Sequence, residues 1–102
     1  MVRNKLLLTW NIRPGNEKEH FQRIRQFVSK LSTVGLELTD AWYTIYGEAP
    51  QVLLGISVQG GQEEYLDSLL SSKDWEDLLG EIRPYIADYR QRVVTATGHF
   101  QF

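Results

Sequence analysis

The side chains able to do acid–base or metal chemistry are few in this sequence. It holds two histidines, His20 and His99, and no cysteine. Disulfides, thiolate metal sites and thiol catalysis are therefore excluded. No His-x-x-His or His-x-x-x-His pair points to a metal, so the expectation is no metal and no cofactor. His99 is the candidate general base, because an imidazole titrates near neutrality; the other reading is an end-of-strand or interface histidine. Thr95 and Thr97 share its strand parity, and side chains two apart on a strand line one face. Val94, Ala96 and Phe100 suit a helix-packed core, so the Thr95–Thr97–His99 face is predicted to look toward a pocket. His20 lies between Lys18 and Phe21 on a predicted helix and reads as a solvated surface residue.

Trp10, Trp42 and Trp75 offer two readings. They wall a pocket for a flat aromatic ligand, or they fill a core and an interface. On the first reading the ligand pocket comprises Trp10, Asn11, Trp42, Tyr43, Thr95 and Thr97. Glu63, Glu64, Asp67, Asp74, Glu76, Asp77 and Glu81 crowd the second helical region, and Lys18, Arg23, Arg25 and Lys30 the first helix; both read as solvated faces. No phosphate loop, nucleophile elbow or dinucleotide fingerprint is present. The formal charge of -2 gives no basic balance to recruit nucleic acid or an anionic membrane. No stretch nears the roughly 18 apolar residues of a membrane span. Met1-Val2-Arg3-Asn4-Lys5 leads at once into a strand-like run with no signal-type apolar core, so a cytoplasmic protein is expected.

The elements that position these residues follow from pattern. Leu6 to Ile12 reads as a strand, closed by the turn signal Pro14-Gly15. Asn16 and Glu19 have capping-box spacing. Phe21, Ile24, Phe27, Val28 and Leu31 then form one apolar stripe on a helix over 17–33, stopped by Gly35. Leu36 to Tyr46 reads as a second strand whose alternation slips, which places a bulge near Asp40 or covers both faces. The turn Gly47-Glu48-Ala49-Pro50 joins it to a third strand, Gln51 to Val58. A second helical region follows Gly60-Gly61, interrupted by Ser71-Ser72-Lys73-Asp74 and ended or kinked at Pro84. Arg90 to Phe102 reads as a fourth strand.

The order β-α-β-β-α-β predicts an α+β, ferredoxin-like fold: a four-stranded antiparallel sheet with both helices on one face, spanning 1–102 as one domain. A sheet with a solvated second face should be polar there. Instead Leu7 and Thr9 oppose Leu6, Leu8, Trp10 and Ile12, while Trp42 and Tyr43 occupy opposite parities. An open apolar face marks an interface or a groove. The predicted assembly is a homodimer with its two sheets face to face.

The run Leu6-Leu7-Leu8-Thr9-Trp10-Asn11-Ile12 with Arg13-Pro14-Gly15, and the break Ser71-Ser72-Lys73-Asp74 before Trp75, resemble dimeric α/β-barrel proteins of the antibiotic-biosynthesis-monooxygenase type. The resemblance implies a ferredoxin-like protomer whose sheet closes a shared barrel in a homodimer. It does not imply one reaction, because the architecture serves oxygenases, haem-degrading enzymes, isomerases and proteins without known activity. Where the haem-degrading branch carries Trp and His, this chain has Ser68 and Leu79, and Asn11 lies later in its strand than that branch's Asn. The reading is thus a small homodimeric barrel protein of unassigned activity, with a sheet-lined pocket for a small aromatic ligand. The alternatives are a cofactor-independent monooxygenase or isomerase, and a non-catalytic structural or regulatory dimer.

Overall fold

Pro14-Gly15 turns the chain out of strand β1 (Arg3–Ile12) and into helix α1 (Glu17–Ser29). The computed structural model describes residues 3–59 and 65–96. The predicted capping box does not form. Asn16 sits at the N-cap with φ -109 and ψ 16, outside the extended region from which a cap side chain folds back, and makes no side-chain cap bond. Its carbonyl instead accepts from the His20 N–H at 2.8 Å. The helix ends earlier than predicted and tightens into a 3-10 turn, Leu31–Val34, closed by Gly35 at φ 78. That left-handed value is natural to glycine and costly to a side chain with a Cβ.

Strand β2 (Leu36–Tyr43) and strand β3 (Val52–Val58) form the predicted hairpin, with β2 stopping three residues short of Tyr46. The second helical region splits at the predicted break into α2 (Tyr65–Leu70) and α3 (Lys73–Leu79). Ser72 caps α3, its hydroxyl accepting from the Trp75 N–H at 3.2 Å. A 3-10 turn at Arg83–Tyr85, containing Pro84, leads into β4 (Ile86–Ala96). The fourth strand therefore starts at Ile86, not at Arg90. Thr97 and His99 lie outside the described residues.

The sheet runs β2-β3-β1-β4, with every pair antiparallel. Even-numbered residues of β1 and β3, among them Leu6, Leu8, Leu54 and Ile56, are buried under Phe27, Leu66, Trp75 and Leu79. Each fully buried aliphatic side chain contributes about 1.5–3 kcal/mol of hydrophobic stabilisation. This core places the helices on one face of the sheet.

Two bulges decide what the other face carries. In β2, Leu38 pairs with Ile56 and Asp40 with Gly55, so Thr39 is the extra residue. Beyond it Asp40 and Trp42 turn to the open face, while Tyr43 turns to the helices. In β4, Thr9 pairs with Arg90 but Asn11 pairs with Ala87, and Asp88 takes a positive φ of 57. Past this bulge Thr95 lies opposite Asn4, on the side of Leu6, and its hydroxyl donates to Asn4 Oδ1 at 2.6 Å. The predicted facing of Thr95 is therefore reversed. The bulge at Asp88 shifts parity by one, and so Arg90, Arg92 and Val94 occupy the open face.

Candidate functional site

Opposite the helices, β1 presents Lys5, Leu7, Thr9 and Asn11 between Leu53 and Gly55 of β3 and Arg90 and Arg92 of β4. Trp42 stands at the β2 side, opposite Leu53, and is 52% exposed. Gly55 makes room for Asp40: a Cβ there would lie 3.1 Å from Asp40 Oδ2 and 3.2 Å from its Cβ. The freed carboxylate meets Lys5 Nζ at 3.0 Å. The Lys5 hydrogen bond, with one from Thr39, holds the Asp40 carboxyl below its ordinary range. The lysine of this face is thereby paired within the protomer.

An open cavity of about 390 Å³ lies on this face, walled by Leu7, Leu53 and Pro50, with Thr9, Asn11, Asp88, Arg90 and Arg92 as its polar groups. Asn11 shapes its end. Its amide donates to Asp88 Oδ2 at 3.0 Å, and its Oδ1 accepts from the Gln51 N–H at 3.0 Å. Gln51 Oε1 in turn accepts from the Ile12 N–H at 2.7 Å. These bonds clamp the hairpin end to β1 beside the β4 bulge. Among the described residues, neither Arg90 nor Arg92 forms a salt bridge.

The aromatic residues divide between the two sides of the sheet. Trp10 is fully buried on the helix side, within 6.5 Å of Phe27 and 6.2 Å of Tyr89, centroid to centroid. Tyr43 packs edge-on to Phe21 of α1. Trp75 is also in the core. Of the six predicted pocket residues, Asn11 lines the cavity and Trp42 stands on the same face. Trp10, Tyr43 and Thr95 point to the other side, and Thr97 is outside the described residues. The placements of Trp10 and Tyr43 follow from pleat and bulge: Trp10 shares the parity of Leu6 and Leu8, and Thr39 shifts Tyr43 onto the core side.

His20 overturns its reading as a surface residue. It is fully buried, and its Nε2 accepts from the Trp10 indole N–H at 2.9 Å. The signal was present in the spacing, since residues 20, 24, 27 and 31 form one helical stripe. Arg90 and Arg92 were also missed. Two arginines two apart must share a strand face, but only the register shows which face.

The geometry can be compared with known proteins. No protein-family model matches the chain, and no curated protein does. Solved structures do match. An uncharacterised NIPSNAP domain protein from Burkholderia xenovorans has a TM-score of 0.62 at 17% identity, with 92% of each chain covered. A dimeric ferredoxin-like protein of unknown function from Thermobifida fusca has a TM-score of 0.63 at 14% identity, covering 93% of this chain and 90% of its own. The fold is ferredoxin-like. A putative antibiotic biosynthesis monooxygenase from Caulobacter crescentus shares this ferredoxin-like fold with a TM-score of 0.60, at 10% identity over 91% of this chain and 86% of its own. At such identities the likeness is one of fold, and one fold hosts many functions. Among the described residues, no helix is long and apolar enough to cross a membrane, and no group of three His, Asp or Glu side chains is placed to hold a metal ion.

Proposed function

We propose that this ferredoxin-like chain works as a homodimer whose open sheet faces pack against each other and enclose a pocket for a small ligand with a flat apolar body. One observation carries the reading. The helices cover one side of the sheet, and the other side presents Leu7 and Leu53 in the wall of a cavity of about 390 Å³, with the half-exposed Trp42 on the same face. Small-molecule sites have volumes of roughly 300–1,000 Å³, with mostly apolar walls and a few placed polar groups. A second copy would shield these apolar side chains from water and close a depression that is open in one protomer. The Thermobifida fusca neighbour is a dimeric protein, which supports a dimer here. Thr9, Asn11 and the groups at the β4 bulge would orient the ligand.

Light scattering tests the assembly, with Leu53→Glu as the disrupting variant. The wild type should have the mass of a dimer at micromolar concentration. Leu53→Glu, which buries a charge in the interface, should have the mass of one chain with an unchanged far-UV spectrum. A monomeric wild type overturns the proposal.

A further inference from the structure

We infer that the sheet-face cavity selects an anionic ligand, with Arg90 and Arg92 forming a two-guanidinium site for the carboxylate of a small molecule whose apolar body lies on Leu7 and Leu53. The inference rests on the pocket proposed above and adds the charge of its occupant. The register places Arg90 opposite Thr9 and Arg92 opposite Leu7, so both leave the same face of β4. Their Cα atoms are separated by two residues of strand, roughly 7 Å, and guanidinium forks on long side chains can converge on one group from that distance. Both line the cavity.

The neighbouring charges set what these arginines can bind. Lys5, the other described cation near them on this face, is occupied by Asp40 at 3.0 Å. Asp88, the acid in the cavity wall, accepts from the Asn11 amide at 3.0 Å and forms no salt bridge with either arginine among the described residues. Two positive charges thus face one negative charge, which leaves the site suited to a monoanion. A planar carboxylate matches the guanidinium fork, and the apolar wall matches a hydrocarbon body. Water exclusion by the second copy would strengthen the pairing, since charges attract more strongly at lower dielectric.

The test compares naphthalene-2-carboxylate with the isosteric naphthalene-2-carboxamide by calorimetry, on the full chain at low salt. The wild type should bind the carboxylate at least about tenfold more tightly than the amide, the scale of a charged hydrogen-bonded contact. Arg90→Gln/Arg92→Gln should lose that preference and keep its affinity for the amide. Arg90→Lys/Arg92→Lys, which retains the charge without the fork, should keep a reduced preference. Equal affinity of the wild type for the two compounds overturns anion selection and leaves the pocket standing. Binding of neither compound up to about 1 mM overturns the pocket and the selection with it. A Gln double variant that becomes monomeric while the wild type is a dimer assigns the arginines to the partner's surface and also overturns the inference.

Discussion

The indole N–H of Trp10 on β1 donates to Nε2 of His20 on α1 at 2.9 Å, with both side chains fully buried. An indole nitrogen only donates, so Nε2 must present its lone pair and the ring proton sits on Nδ1. Burial lowers the His20 pKa from its ordinary 6.5. Below that value the unfolded chain takes up a proton that the folded chain still refuses. The unfolded state then holds more protons, and stability falls as the pH drops through 6.5 toward the lowered folded value. Below the folded value this contribution levels off. Urea midpoints measured from pH 7.5 to 5 should fall more steeply for the wild type than for His20→Gln, which does not titrate; parallel slopes would refute the assignment.

Trp75 fills the space between α3 and the sheet, and Ser72 caps its helix. Trp75→Ala should cost about 3–5 kcal/mol, the range for emptying a large aromatic site. Ser72→Ala removes the cap and the hydroxyl's donation to the Leu69 carbonyl at 2.7 Å, and should cost about 1–2 kcal/mol. Chemical denaturation separates the two, and a Ser72→Ala loss as large as that of Trp75→Ala would contradict the capping role.

Asn11 is held by both ends of its amide. Asn11→Asp replaces the donor facing Asp88 with a second carboxylate. The variant should lose about 1–3 kcal/mol at pH 7, and part of that loss should return near pH 4 as one carboxylate takes a proton. Asn11→Ala should show no such recovery relative to the wild type. Melting temperatures at the two pH values distinguish these outcomes.

Gly55 leaves Asp40 the space it occupies on the open face. Gly55→Ala should force Asp40 aside, weaken its contact with Lys5 and cost about 1–3 kcal/mol, as overpacking does. The backbone-linked Cβ of Asp40, 3.2 Å from the added methyl, cannot retreat as a flexible side-chain end would. Thermal melts of Gly55→Ala and Asp40→Ala/Gly55→Ala test this, since the second variant removes the carboxylate oxygen 3.1 Å from the added methyl and should recover part of the loss, the Cβ contact remaining.

The order of elements was legible in the residues because it depends on local signals. Pro14-Gly15 and Gly35 stop their elements, Ser72 caps α3, and the stripe through Ile24, Phe27 and Leu31 has one helical period. The slip of parity in β2 was also visible, because Leu36 and Leu38 differ in parity from Ala41 and Tyr43, but only the pairing with β3 decides for a bulge over a strand covered on both faces. The direction of each functional side chain was not legible. The shift in β4 arises where Asp88 adopts a positive φ opposite Trp10, and it leaves no break in the alternation of Arg90 to Ala96. A strand period of two makes a one-residue shift exchange whole faces, so it removed Thr95 from the cavity and brought Arg90 and Arg92 to it. Pairing with β1 decided that register. Burial of His20 likewise required Trp10, ten residues away on another element, to satisfy Nε2, while among the described residues the buried Nδ1 has no partner.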